Sequence, residues 1–246
     1  FLSAQIKIIW LTRCAVYEKQ GLPVRGGNMK TTETETAKPR KERKANADKR
    51  RQQLLDATLR SIVANGLTKT TLATVANEAS LSQGVAVFYF KSKTGLLTEA
   101  LREQYRRYEE NWQQALAAAG PDHLDQLLAL IRADFAPQVC NSDALSIWFA
   151  FWGEQNFTPS YADVSAQFDI RRSQAVHDIC ERLLADDDQA NPARIAEWID
   201  GFTDAFWQRL HLFPKTETIE NALESTFELV QQLLPDHAER IRKQVR

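Results

Sequence analysis

Ser82-Gln83-Gly84 is the stretch of this chain best suited to meet a charged ligand with main-chain atoms. Ser82 is a good helix N-cap. The first turn of a helix offers unpaired backbone N–H groups and a partial positive charge, which suits phosphate. Gly84 removes a side chain where the backbone would come close to such a ligand. Gln83 can hydrogen-bond a base edge, with adenine its best-matched partner, and Val85 and Val87 offer apolar contact of the kind made with a thymine methyl. Tyr89 and Lys93 add a hydroxyl and an ammonium, both suited to phosphate oxygens.

These residues form one site only if short helices hold them. Residues 71–90, TLATVANEASLSQGVAVFYF, read as two such helices joined at Ser80-Leu81-Ser82, the minimum for a helix-turn-helix. Thr70-Thr71 caps the first, with Leu72, Val75, Ala76 and Ala79 on its inner face. The second runs from Ser82 to about Phe90. The pattern alone also fits a helical hairpin inside a bundle.

A second set of residues could do different chemistry. Aromatic side chains concentrate in Ile147-Trp148-Phe149-Ala150-Phe151-Trp152-Gly153-Glu154 and again in Trp198-Ile199-Asp200-Gly201-Phe202 with Phe206-Trp207. Trp148 and Trp152 are four apart on one helix face, as are Trp198 and Phe202. Core and dimer packing is one reading, because aromatics dominate such surfaces. The other is a cage for a quaternary ammonium cation, built from Trp148, Phe151, Trp152, Trp198 and Phe202 with Glu154 or Asp200 as the nearby carboxylate.

The elements around both sets read as helices throughout, so the fold class is all-α. Alternating β-branched runs are absent, and Gly and Pro sit at joints. A helix over about 46–65 has Leu54, Leu55, Thr58, Leu59 and Ile62 inside and stops at Asn65-Gly66. A long helix follows the polar joint Lys91 to Gly95 and ends at Gly120-Pro121. Further helices are expected at about 122–136, 142–156, 160–185, 192–212 and 216–234.

Charge divides along the same line. Residues 1–29 carry four Lys/Arg against one Glu, 30–95 carry 13 against six Asp/Glu, and 96–246 carry 14 against 25. A basic front and an acidic back fit a front that meets a polyanion. Cys14, Cys140 and Cys180 are far apart without a CxxC pattern, which points to a reducing compartment and against zinc or a disulfide framework. His123, His177, His211 and His237 are scattered, and HExxH, P-loop, GxSxG and dinucleotide-loop motifs are missing, so an enzyme is not expected, nor a metal or cofactor. A helical adaptor that binds only protein remains the other class.

Residues 48–108 resemble the DNA-binding domain of the TetR family of repressors. The resemblance rests on Thr71, Val75-Ala76, Ser82-Gln83-Gly84, Tyr89-Phe90, Lys91-Ser92-Lys93 and Leu96-Leu97, in type and in spacing. It implies that Thr71, Ser82, Tyr89 and Lys93 hold phosphates while Gln83, Gly84 and Val87 face bases. Two features depart from the family pattern. Ser80 stands where Gly is usual, and Val87 and Phe88 replace more polar residues. The resemblance further implies a helical regulatory and dimerisation domain over 109–246, a homodimer on double-stranded operator DNA, and helices 160–185 and 192–212 as dimer candidates. It also implies a cytoplasmic, membrane-free protein and a long helix over about 95–119 acting as a lever between ligand and DNA.

Trp148-Phe149-Ala150-Phe151-Trp152, Pro159, Arg171-Arg172 and Ile199-Asp200-Gly201 resemble the BetI-like, choline-responsive branch of that family. This implies a ligand-relieved repressor of choline-to-glycine-betaine genes, with choline or another quaternary ammonium compound as effector. Repression of an efflux pump or of an unrelated catabolic pathway stays open. Met29 is the only methionine, so residues 1–28 are expected to be upstream sequence and 1–47 a polar, basic arm.

Overall fold

The computed structural model describes residues 37–187 and 190–245. The expectations for residues 1–36, including the start at Met29, lie outside the described residues. Ten α-helices and one 3-10 turn make up the described chain, and no strand occurs among the described residues. They are α1 (Ala37–Lys69), α2 (Leu72–Glu78), α3 (Gln83–Phe90), α4 (Lys93–Ala118) and α5 (His123–Asp134). Then follow α6 (Ser142–Glu154), α7 (Pro159–Leu183), α8 (Pro192–Leu212), α9 (Ile219–Leu233) and α10 (Ala238–Val245).

The chain forms two compact units, one ending at Ala100 and the other beginning at Leu101, so the division falls inside α4. In the first unit α1 packs on α2 and α3. Leu54, Leu55, Leu59, Ile62, Val75, Ala86, Phe90 and Leu96 are buried there, the face that helical spacing predicts. Gly66 takes φ 74°, so α1 breaks at the expected Asn65-Gly66 stop before a last turn to Lys69. Thr70 closes that turn by donating to the Gly66 carbonyl and meeting Ser61 Oγ at 3.1 Å. At the other end α1 starts at Ala37, inside the segment whose composition suggests an arm. Its Ala, Lys, Arg and Glu are all strong helix formers, so the same composition supports helix.

In the second unit α7 packs on α5 and α8, and α8 also packs on α6 and α9. Good caps fix four of the helix starts: Asp122, Asn141, Asn191 and Thr218 each accept a backbone N–H with their side chains. Beyond the expected helices, Pro235–His237 and α10 fold back, with Ile241 fully buried and Arg240 paired to Asp122 and Asp125. Cys140 and Cys180 are free and buried, and burial pushes both thiols up to about 12.

Candidate functional site

The first unit presents α3. Thr71 opens α2 with a reciprocal cap: its hydroxyl accepts from Thr74 N, and Thr74 Oγ1 accepts from Thr71 N. Ser80 then turns the chain in the left-handed region at φ 55°, a conformation that favours glycine. Ser82 is the N-cap of α3, but its side chain makes no capping hydrogen bond. Its hydroxyl and the amides of Gln83 and Gly84 are open to an external acceptor, whereas the Val85 N–H donates to the Ser82 carbonyl at 3.0 Å. Ser82, Gln83 and Gly84 are all exposed, and Val87 and Phe88 are exposed to 41% and 68%. Ala86 and Phe90, on the opposite face, are buried. The helix thus shows one face to the core and offers Gln83, Gly84 and Val87 outward, while Val85 is half-buried.

Two glycines here contrast. A Cβ on Gly95 would lie 2.3 Å from the Phe90 carbonyl oxygen, so the joint to α4 requires glycine there. A Cβ on Gly84 would meet only Ser82 Oγ at 3.8 Å, an ordinary contact. Nothing among the described residues requires Gly84, and a glycine inside a helix costs about 1 kcal/mol relative to alanine. An external surface approaching α3 closely supplies a reason for it. Tyr89 Oη donates to the Ala47 carbonyl at 3.0 Å, and Lys93 Nζ to the Thr68 carbonyl at 2.6 Å. Tyr89 has one proton to give and must exchange that bond to donate to a phosphate, whereas Lys93 has two more.

The second unit holds a buried aromatic and ionic cluster at which five helices meet. Trp148 and Trp152 come from α6, Trp207 from α8, and Tyr105 and Tyr108 from α4. The three indole centroids lie 6.0 to 6.4 Å from one another. Tyr108 stands edge-on to Trp148 at 6.0 Å and to Trp207 at 5.7 Å, and Tyr105 edge-on to Trp148 at 4.7 Å. A cation is attracted to a ring within about 6 Å of its centroid, so this spacing allows several rings to share one charge. Trp148 Nε1 is buried without a hydrogen-bond partner.

Beneath these rings lies Asp134, at the end of α5. Its Oδ1 accepts from Tyr108 at 2.7 Å, its Oδ2 from Arg172 at 2.7 Å, and its carbonyl from Trp207 Nε1 at 2.9 Å. Arg172, 4% exposed, also stands 3.6 Å from Asp200 through Nη1, while Asp200 accepts from Ser173 at 3.2 Å. Nε and Nη1 of Arg172 are buried and make no hydrogen bond. Burial pushes the Asp134 carboxyl up, against the pull of Arg172 and Tyr108 downward. Both its oxygens accept hydrogen bonds, the pattern of an ionised carboxylate. Burial opposes the Arg172 charge, but Asp134, Tyr108 and Asp200 outweigh it and keep the guanidinium protonated. Burial and then the Asp134 charge hold the Tyr108 phenol well above its ordinary range, so it stays a donor.

The curated relatives are bacterial regulators. Residues 54–100 match the family described as bacterial regulatory proteins, tetR family, and residues 123–235 match BetI-type transcriptional repressor, C-terminal. The HTH-type transcriptional regulator BetI of Stenotrophomonas maltophilia (strain R551-3) is 35% identical over 62% of this chain and 78% of its own length. BetI of Burkholderia mallei (strain NCTC 10229) is 30% identical over 75% and 93%. The chain belongs to the TetR family, in its BetI-type group.

Solved structures share the fold. A transcriptional regulator from Pseudomonas aeruginosa PAO1 aligns with TM-score 0.70 at 20% identity over 79% of this chain and 94% of its own. A regulator from Saccharomonospora viridis, solved in complex with choline, aligns with TM-score 0.66 at 17% identity over 75% and 96%. This TetR-family protein is therefore a DNA-binding transcriptional repressor rather than an enzyme or an adaptor that binds only protein.

In this BetI-type chain the sequence-derived ligand residues scatter. Trp148 and Trp152 lie in the indole cluster, and Asp200 in its ionic floor. Phe151 is buried against Tyr161 at 5.1 Å, edge to face. Glu154 is exposed. Trp198 is 47% exposed with Arg194 over its ring. Phe202 packs on Phe206 and lines a groove of about 690 Å³ between α8 and α9. Tyr105, Tyr108, Asp134, Arg172 and Trp207 escaped the sequence-based site. Tyr105, Tyr108 and Trp112 are spaced three and four apart, an aromatic stripe on one helix face that carried the signal. Asp134 carried none, because its role depends on Arg172, 38 residues away.

Proposed function

We propose that this repressor is a homodimer released from its operator by a small quaternary ammonium cation, with choline as the effector. The observation that carries the reading is the indole cluster over a buried ionic floor. Three tryptophans and two tyrosines offer ring faces and edges, and the floor beneath holds two carboxylates against one guanidinium. Cation–π attraction strengthens when the site is desolvated, and a surplus carboxylate adds to it. BetI-type relatives and the choline complex of the Saccharomonospora viridis regulator support the same ligand class.

α4 links ligand to DNA. The same helix carries Leu96, Leu97 and Ala100 in the core of the first unit and Tyr105 and Tyr108 in the cluster. A ligand that parts the rings biases α4, and operator affinity falls by its differential affinity for the two states, a coupling of about 1–3 kcal/mol. Twofold pairing through α7 and α8 presents two copies of α3 to half-sites one helical turn apart, about 34–36 Å. Trp198, Leu212 and Phe213, exposed on α8 and at its end, suit such a surface. Among the described residues no helix is long and apolar enough to cross a membrane. The repressor acts in the cytoplasm, on double-stranded operator DNA.

Titrating choline into the free protein and following tryptophan fluorescence tests the reading. Saturable quenching with a 1:1 stoichiometry per chain supports it. A flat titration, with a planar neutral compound quenching instead, transfers the site to an efflux or catabolic effector.

A further inference from the structure

We propose that Asp200 sets the net charge the site accepts, so that a quaternary ammonium alcohol or aldehyde binds and a quaternary ammonium carboxylate of similar size does not. This rests on the quaternary ammonium reading above and names the residue that discriminates within that class.

Asp134 is matched. Tyr108 and Arg172 occupy its two oxygens separately, and Arg172 supplies the counter-charge at 2.7 Å. Asp200 is not matched in the same way. Its hydrogen bond comes from the neutral Ser173 hydroxyl, and Arg172 Nη1 stays at 3.6 Å without a hydrogen bond. Arg171, the next cation along α7, is engaged with Glu109 through two hydrogen bonds. One guanidinium thus faces two carboxylates, and the surplus belongs to Asp200. It joins the rings through one chain of contacts: Asp200 faces Arg172, Arg172 donates to Asp134, and Asp134 accepts from Tyr108, which stands against Trp148 and Trp207.

Asp200 is half-buried and shares its one counter-ion with Asp134, and a monocation placed over the rings relieves that excess of negative charge. A zwitterion does not relieve it. Its ammonium is already balanced, and its carboxylate would be a third negative group around one guanidinium. The buried Nε and Nη1 donors of Arg172 offer the opposite possibility, a receptor for a ligand carboxylate, and the two make opposite predictions.

The test titrates tryptophan fluorescence of the full chain with three probes: choline, glycine betaine, and the neutral isostere of choline in which tert-butyl replaces trimethylammonium. The wild type is expected to bind choline at least about tenfold more tightly than either of the others. Asp200→Asn is expected to lose about tenfold for choline while the neutral isostere is unaffected, so the preference falls towards unity. Thermal melts check that the variant folds. Should it not fold, the wild-type preference for choline over its neutral isostere decides. Equal binding of the isostere, tighter binding of glycine betaine, or an unchanged preference in Asp200→Asn overturns the assignment. The last of these leaves the quaternary ammonium reading intact, whereas failure of the wild type to bind choline removes both.

Discussion

With α3 proposed as the helix that meets DNA, Gly84 becomes a residue at which helix stability and recognition are expected to pull in opposite directions. The structure leaves room for a methyl group there, so Gly84→Ala is expected to hold or raise stability by up to about 1 kcal/mol. The same methyl would face the DNA at the N-terminus of α3, and operator affinity is expected to fall at least about tenfold, near 1.4 kcal/mol. A thermal melt beside an anisotropy titration checks both, and lost stability with unchanged affinity would contradict the interface. In the second unit, Arg172→Met leaves Asp134 buried without its counter-ion, a loss of about 3–5 kcal/mol. Adding Asp134→Leu is expected to recover much of that by removing the orphaned charge, as read from urea unfolding midpoints. Both oxygens of Asp134 are committed, so recovery by the double variant is the signature of a paired charge rather than of packing alone.

At the scale of elements, helix content and most joints are legible in the sequence, because punctuation and caps are local. Gly66 breaks α1 one turn before its end, and Ser82, Gly120-Pro121, Asn141, Pro159 and Pro192 all fall at helix boundaries. Two elements were not legible. The start of α1 is rich in Lys and Arg, which suits an exposed helix as well as an arm. α10 is only eight residues long and follows Pro235, so it reads as a tail. It is helical through tertiary contact: Ile241 is buried, and Arg240 reaches Asp122 and Asp125 more than a hundred residues away. The Arg240 hydrogen bond, with help from the Asp125 backbone N–H, holds the Asp122 carboxyl down at about 2. A depressed carboxyl contributes stability above the unfolded value near 3.9, and this fades as pH falls towards 2. Arg240→Ala is expected to bring the Asp122 titration back towards the ordinary range and to fray α10, as seen by NMR. An unmoved titration would show that the helix cap alone depresses it. The proposed ligand site was half legible for a related reason. Trp148 and Trp152 are neighbours on one helix, whereas Trp207, Arg172 and Asp134 join them only when five helices meet.

For the whole molecule, the basic residues before 96 and the acidic excess after it place the charge that attracts phosphate in the first part of the sequence. Operator affinity is expected to fall steeply with salt, with log K linear in log salt, because phosphate contacts release counterions. A dimer on two half-sites is expected to show one dimer per operator, and a half-operator should bind far more weakly. The deciding measurement is fluorescence anisotropy of labelled DNA flanking the protein's own gene, titrated at fixed salt with and without choline. Tight binding to that DNA over random sequence, weakened about fivefold or more by choline, is the predicted result. Tight binding that choline leaves unchanged would contradict release by a quaternary ammonium ligand.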